Sequence, residues 1–120
     1  MNRGIITISE SGLVTMPTAP IWMTMQEIAD MLGVFGCYVR RAIKAIFKEG
    51  ILREYDVRRH EMEDNRISYD TYNLELIIAV AFRTDSVESR AFREFIMQAI
   101  IQKPSNRPKL VCLWTKNAMA

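Results

Sequence analysis

Two amphipathic helical patterns joined through a single glycine constrain the fold of this chain more than any other feature. Residues 24–32 carry apolar side chains at positions i, i+3, i+4 and i+7, namely Met25, Ile28, Ala29 and Leu32, which predicts one buried helical face. Gly33 follows and can take the left-handed conformation that ends a helix. A second helix is predicted from Gly36 to about Lys48. Two short helices must therefore pack together across a tight turn.

The start of the first helix and the two faces of the second are also encoded locally. Thr24 and Glu27 have the spacing of a capping box, which fixes where the first helix begins. The second helix has an apolar stripe, formed by Val39, Ala42, Ile43, Ile46 and Phe47. The opposite side of the second helix carries a polar and basic face, which consists of Cys37, Tyr38, Arg40, Arg41, Lys44 and Lys48. The stripe should face the core and the basic face should face water.

Ala29, Gly33 and Val39 have the spacing of a helix-turn-helix. A small residue on the first helix allows the second to approach closely, the glycine permits the turn, and the β-branched residue packs back beneath the first helix. The outer face of the second helix is then free to enter a DNA major groove, whose width of about 12 Å admits one α-helix. The pattern predicts that the second helix reads double-stranded DNA.

The candidate DNA-binding residues follow from the chemistry of this outer face. We assign Arg40 and Tyr38 to base edges, because arginine forms bidentate hydrogen bonds with guanine and tyrosine offers a hydroxyl or a ring. The phosphate contacts are then assigned to Arg41, Lys44 and Lys48, although the reverse order fits the sequence as well. Backbone N–H groups near Thr24 to Gln26, at the start of the first helix, would suit a further phosphate.

Charge is polarised along the chain although the formal net charge is only +2. Residues 36–59 contain seven basic and three acidic residues, so this stretch alone carries +4. The segment that follows contains Glu61, Glu63 and Asp64 at the tip of a predicted hairpin, and these acids would repel phosphate. We therefore do not assign this hairpin to the DNA-contacting surface.

The rest of the chain predicts an α+β domain of helix-turn-helix, winged-helix-like type. A first hairpin pairs residues 5–8 with 13–16 around a glycine-containing turn, and a second pairs 53–62 with 66–72. Asn73 is expected to cap an almost wholly apolar helix that ends at Phe82. The last helix is predicted to begin at Asp85 or Ser86 and to end near Gln102. Its apolar residues recur at helical spacing, namely Phe92, Phe95, Ile96 and Ala99. The predicted domain covers residues 1–104. A tail of residues 105–120 follows, with Leu110 to Thr115 either a short strand or a docked segment.

Several function classes are disfavoured by composition. Two widely separated cysteines and one histidine are too few for a zinc site. His60 shares no recognisable catalytic motif with a serine or cysteine nucleophile. Glu61 and Glu63 lie beside a solvated turn, which disfavours a pair of catalytic carboxylates. We therefore expect no catalysis, no cofactor and no small-molecule ligand. The first twelve residues lack the apolar stretch of a signal peptide and the longest apolar run, Leu76 to Phe82, is too short to span a bilayer. We expect a cytoplasmic, non-enzymatic protein that does not enter membranes.

The chain resembles the RhuM-type virulence proteins of bacteria in the order and spacing of five pieces between residues 21 and 100. These are WMTMQEIADMLGV at 22–34, IKAIFKEG at 43–50, YNL at 72–74, FR at 82–83 and FR at 92–93. The resemblance implies a bacterial, horizontally carried protein with a DNA-binding or regulatory role. It places the helix-turn-helix at Thr24 to Lys48, and it places Arg83, Arg90 and Arg93 in a later segment of the family.

Together these observations predict a sequence-specific double-stranded DNA-binding protein that acts as a transcriptional regulator or as a regulator of a mobile element. A homodimer is expected, because a single recognition helix contacts too little DNA, whereas two can meet half-sites about 34 Å apart. The alternative is a protein-interaction module on the same scaffold, with Phe35, Tyr38 and Trp114 as apolar anchors.

Overall fold

The computed structural model describes residues 3–64 and 66–102. Within these ranges the chain has an α+β architecture of five strands and five helices. The strands are β1 (Thr7–Ile8), β2 (Val14–Thr15), β3 (Trp22–Met23), β4 (Arg58–Met62) and β5 (Ser68–Asn73). The helices are α1 (Met25–Leu32), α2 (Gly36–Glu49), α3 (Glu54–Val57), α4 (Leu74–Ala81) and α5 (Val87–Ile101).

The first predicted hairpin is confirmed, although its strands are short. β1 and β2 are antiparallel, with Ile8 opposite Val14. Gly12 adopts a φ of +87° in the turn, a conformation that a side chain would disfavour. The Ser9 N–H donates to the Leu13 carbonyl at 2.9 Å and closes the turn. This hairpin contacts α1 through β1 and α5 through β2.

The capping box at the start of α1 is confirmed. The Glu27 N–H donates to Thr24 Oγ1 at 3.1 Å, and the Thr24 N–H donates to Glu27 Oε1 at 2.8 Å. Arg3 completes the arrangement, since its Nη1 lies 2.8 Å from the same Glu27 oxygen. Burial by itself raises the pKa of Glu27, but the hydrogen bonds from Arg3 and the Thr24 amide outweigh it, so the pKa lies below its ordinary value.

Replacing Thr24 with alanine should lower the free energy of unfolding by about 1 kcal/mol, because the first turn of α1 loses its side-chain cap. Urea denaturation of the full chain measures this change. Thr18→Ala is the matched control, since Thr18 is exposed in the loop before β3 and its loss should cost less than about 0.5 kcal/mol. Equal midpoints for the two variants would contradict the role of Thr24.

The turn between α1 and α2 depends on Gly33, as predicted. Its φ is +65°, in the left-handed region. The Val34 N–H donates to the Ala29 carbonyl at 3.1 Å and the Gly33 N–H donates to the Asp30 carbonyl at 3.3 Å, which is a Schellman motif. A Cβ atom at Gly33 would also lie 2.5 Å from a carboxylate oxygen of Glu88. The turn therefore requires glycine for its left-handed backbone conformation, whereas the flexible end of the Glu88 side chain can move aside for a Cβ atom.

A three-stranded antiparallel sheet was only partly predicted. Its strand order is β3-β5-β4, so β5 is the central strand. β4 and β5 form the second predicted hairpin, with His60 opposite Asp70. The pairing of β3 with β5, which sets Met23 opposite Tyr72, was not predicted, because a two-residue strand has no periodicity to detect. This pairing places the start of α1 beside the central strand.

The predicted first arm of the second hairpin, residues 53–62, is wrong at its start. Residues Glu54–Val57 form one turn of helix, α3, and the strand begins only at Arg58. Val57 is fully buried at the end of this turn. The ion pair from Arg53 Nε to Asp56 Oδ2, at 3.1 Å, spans i to i+3, and the ion pair between Arg58 and Glu54 spans i to i+4. Both spacings favour a helical turn over an extended strand.

The core lies between the two helix pairs α1–α2 and α4–α5, with β5 beside it. Met23, Leu32, Val39, Leu76 and Phe92 are fully buried within it. The Asn73 and Ser86 side chains cap α4 and α5, so the Asn73 cap is confirmed and Ser86 is the residue that begins the last helix. In the predicted apolar stripe of α5, Phe92 is buried, Phe95 and Ile96 are half-buried, and Ala99 is exposed.

Two side chains fix the position of α5 against its neighbours, Ser86 against α1 and Arg93 against α4. The Ser86 hydroxyl donates to the Leu32 carbonyl at 2.5 Å, at the end of α1. Arg93 Nη1 donates to the carbonyls of Ala81 and Thr84, each at 2.8 Å, at the end of α4. The predicted tail of residues 105–120, with Cys112 and Trp114, lies outside the described residues.

Candidate nucleic-acid interface

Helix α2 presents the predicted basic face to solvent. Val39, Ala42, Ile43 and Ile46 are buried, and the helix packs on α1 and α4. The side chains predicted to face water are all exposed, namely Cys37, Tyr38, Arg40, Arg41, Lys44 and Lys48. The separation into a buried and a basic face is therefore confirmed.

The exposed face of α2 has a central row and two flanks. The central row consists of four residues at spacings of four, three and four, which place them along one line of the helix. These are Cys37, Arg41, Lys44 and Lys48. Successive residues are about 100° apart, which places Arg40 on one flank of this row and Tyr38 on the other. The row lies opposite Val39, the residue that seats the helix on the core. The cations of the row project farthest from the protein.

Ion pairing separates the basic residues of this region into two groups. Arg53, Arg58 and Arg59 each pair with a carboxylate, from Asp56, Glu54 and Glu61 respectively. Within the described ranges no carboxylate lies at ion-pairing distance from the four cations of α2, which are Arg40, Arg41, Lys44 and Lys48. The positive charge of residues 36–59 is therefore concentrated on α2.

Aromatic contacts organise the first turns of α2. The Arg41 guanidinium carbon lies 5.5 Å from the centre of the Tyr38 ring, within the range of a cation–π interaction. The Tyr38 ring is in turn 6.4 Å from the ring of Phe35, measured between centroids. Phe35 is 76 % exposed and Tyr38 is 49 % exposed. These rings restrict Arg41 without removing it from solvent.

A groove of about 850 Å³ runs along the Tyr38 flank of α2. Tyr38 and Arg41 line one wall, and Arg83, Thr84 and Asp85, which connect α4 to α5, line the other. Arg83 also forms an ion pair with Glu49 at the end of α2. This groove places Arg83 beside the exposed face of α2, a proximity that sequence spacing alone does not reveal.

The two candidate residues of α1 are differently placed. The Thr24 amide and hydroxyl are both used in the capping box, and the Glu27 carboxylate occupies the position where a phosphate would bind. This arrangement disfavours a phosphate contact at Thr24. Gln26 is exposed, and its Nε2 donates to Asp30 Oδ1 at 2.9 Å. A Cβ atom at Gly36 would lie 3.8 Å from Gln26 Oε1, so Gln26 is adjacent to the start of α2.

The described tip of the hairpin formed by β4 and β5 carries two exposed acids, Glu63 and Asp64, and one exposed cation, Arg66, so its net charge is −1. On β4 the Arg59 guanidinium carbon lies 4.2 Å from the centre of the Trp22 ring. No local sequence pattern reveals this contact, because Trp22 reaches β4 across the central strand β5. The contact and the Arg59–Glu61 ion pair hold Arg59 on the sheet.

The described residues contain no group of three or more histidine, cysteine or acidic side chains that could hold a metal ion. Nor do they contain a helix of the length and apolarity needed to cross a membrane. Comparisons of the chain with protein-family models, with curated proteins and with solved structures find no match. The candidate interface is therefore defined by its own geometry and charge: four cations without carboxylate partners in the described structure, on one exposed helix face.

Proposed function

We propose that this protein binds double-stranded DNA through α2, without catalysing a reaction on it, and regulates transcription or a mobile element. The observation that carries this proposal is the group of four cations on α2, which lack carboxylate partners in the described structure. Unpaired cations on an exposed helix face provide the electrostatic attraction to phosphate on which DNA binding depends. A homodimer with two such helices is part of the proposal.

The arrangement of elements supports a winged helix-turn-helix. β3 precedes α1 and α2, the β4–β5 hairpin follows them, and β5 is central in the sheet. This is the order expected where a hairpin stands beside a recognition helix. Because the described tip of the hairpin carries Glu63 and Asp64, we assign the DNA contacts to α2 rather than to the hairpin.

The position of each side chain on α2 favours one of the two contact orders. Arg41 and Lys44 belong to the central row and would enter deepest into a major groove, so we assign them to base edges. Arg40 and Tyr38 lie on the flanks and are better placed for the two phosphate backbones. Lys48, at the far end of the row, is assigned to phosphate. This order reverses the assignment that the sequence first suggests.

Cys37 provides a direct test, because its free thiol is exposed in the central row. In a C112S background, a bulky polyethylene-glycol pyridyl disulfide attached to Cys37 should weaken duplex binding by at least about tenfold, since the adduct would fill the groove that α2 enters. Fluorescence anisotropy with a labelled duplex measures the affinity.

Reduction of the mixed disulfide should restore the affinity and is the internal control for folding. A C37S/C112S protein treated in the same way controls for effects of the reagent. Unchanged binding by the modified protein would exclude α2 as the DNA-contacting element.

A protein-interaction module is the second candidate, and the groove beside Phe35 and Tyr38 favours it. Exposed aromatic side chains next to a concave surface are typical anchors for a protein partner. Phe35→Ala distinguishes the two functions, because Phe35 lies outside the central row. Duplex affinity should change by less than about threefold if α2 reads DNA, whereas a partner that binds in the groove would lose an anchor.

A further inference from the structure

Helix α5 carries a second exposed stripe that DNA binding through α2 does not use. Five residues of α5 follow one another at spacings of three, four, three and four, namely Val87, Arg90, Glu94, Met97 and Ile101. This is the spacing of one seam of a coiled coil. All five side chains are exposed, and Val87, Met97 and Ile101 are 73 %, 48 % and 68 % accessible. The stripe lies on the side of α5 away from Phe92, which is fully buried.

The surroundings of this stripe extend the apolar surface. A groove of about 580 Å³ separates α5 from the first hairpin, where Leu13 is exposed. Another of about 650 Å³ separates α5 from the end of α4, where Phe82 is exposed. Arg90 and Glu94 line both grooves. The stripe is therefore a ridge between two grooves, a shape that accommodates the side chains of a second helix.

The two charges in the middle of the stripe make it complementary to itself. If two copies of α5 pack antiparallel about a two-fold axis at residue 92, Arg90 of each copy faces Glu94 of the other, and Val87 faces Met97. A parallel arrangement would instead set Arg90 against Arg90 and Glu94 against Glu94. Like charges across an interface are unfavourable, so the charge pattern selects the antiparallel register.

Contacts within one copy leave these charges available. Arg90 Nε lies 3.7 Å from Asp85 Oδ1, in a pair whose side chains are 64 % and 86 % exposed, and such a pair contributes little. Glu94 has no ion-pair partner among the described residues. Both side chains can therefore pair with a second copy without breaking a strong contact.

We propose that this stripe is a homodimer interface, in which two copies of the chain pack through antiparallel α5 helices. α5 packs on α1, α4 and β2, whereas α2 packs on α1 and α4. The stripe shares no residue with the basic face of α2. The proposal concerns self-association and stands whether or not α2 binds DNA.

Sedimentation velocity of the full chain without DNA, over a range of concentrations, tests the proposal. The unaltered chain should form dimers. R90E and E94R, each alone, should raise the dimer dissociation constant by at least about tenfold, because like charges then meet twice across the axis. The double variant R90E/E94R should restore the dimer, because the charge pairs are re-formed in reverse.

A monomeric unaltered chain at all concentrations would overturn the proposal, as would a dimer that persists in both single variants or is not restored in the double variant. Far-UV circular dichroism of each variant separates dissociation from unfolding. Should a variant not fold, Met97→Gln removes an apolar contact without adding charge and should weaken the dimer in the same assay.

Discussion

Raising the salt concentration from about 50 to about 200 mM should weaken the binding of duplex DNA by about tenfold for each α2 helix. Two cations of α2, Arg40 and Lys48, are assigned to phosphates, and two phosphate contacts predict a slope of about −1.8 in the logarithm of affinity against the logarithm of salt concentration. The four cations of α2 form no ion pairs within the described ranges. No internal carboxylate therefore competes with phosphate for them. Fluorescence anisotropy across a salt series measures the slope.

The slope also distinguishes the sources of the charge. If Arg53 and Arg58 of the α3 region contributed instead, their ion pairs with Asp56 and Glu54 would first have to break, and the slope would be shallower. A flat response to salt would mean that the protein does not contact phosphates and would contradict DNA binding through α2.

The variant R41Q/K44Q should bind duplex DNA about a hundredfold more weakly than the unaltered chain. These two cations occupy the middle of the central row, and one good contact to a base or phosphate contributes about 1–3 kcal/mol. The substitutions keep the side chains polar and α2 intact, so the melting temperature should change little. The salt slope should stay close to that of the unaltered chain, because both residues are assigned to base edges and the phosphate contacts of Arg40 and Lys48 remain.

The matched control is R53Q/R66Q, which removes the same total charge from exposed positions outside α2. It should reduce affinity by less than about threefold, through the change in net charge alone. Equal losses in the two double variants would show that binding follows net charge rather than the face of α2. Full affinity in R41Q/K44Q would eliminate the proposed surface.

The helices α1 and α2 and the turn between them were largely predictable, because their determinants are local. The capping box at Thr24, the left-handed Gly33 and the apolar stripe through Val39 act within a few residues. Such short-range patterns reveal where a helix begins and ends and which face it buries. The exposed position of Arg40, Arg41, Lys44 and Lys48 follows from the same periodicity.

The sequence by itself thus determined the helices, the turn between α1 and α2, and the direction in which the cations of α2 point. Only the tertiary structure decided that β3 joins β5, that residues 54–57 form a helical turn, and which basic residues are neutralised. The tertiary structure also decided that the exposed stripe of α5 lies outside the core. The pairing of β3 with β5 and the packing of α5 join segments far apart in the chain, which no local periodicity encodes. The turn of residues 54–57 and the ion pairs of Arg53 and Arg58 are local, but a turn of four residues is too short for a helical periodicity to be detected.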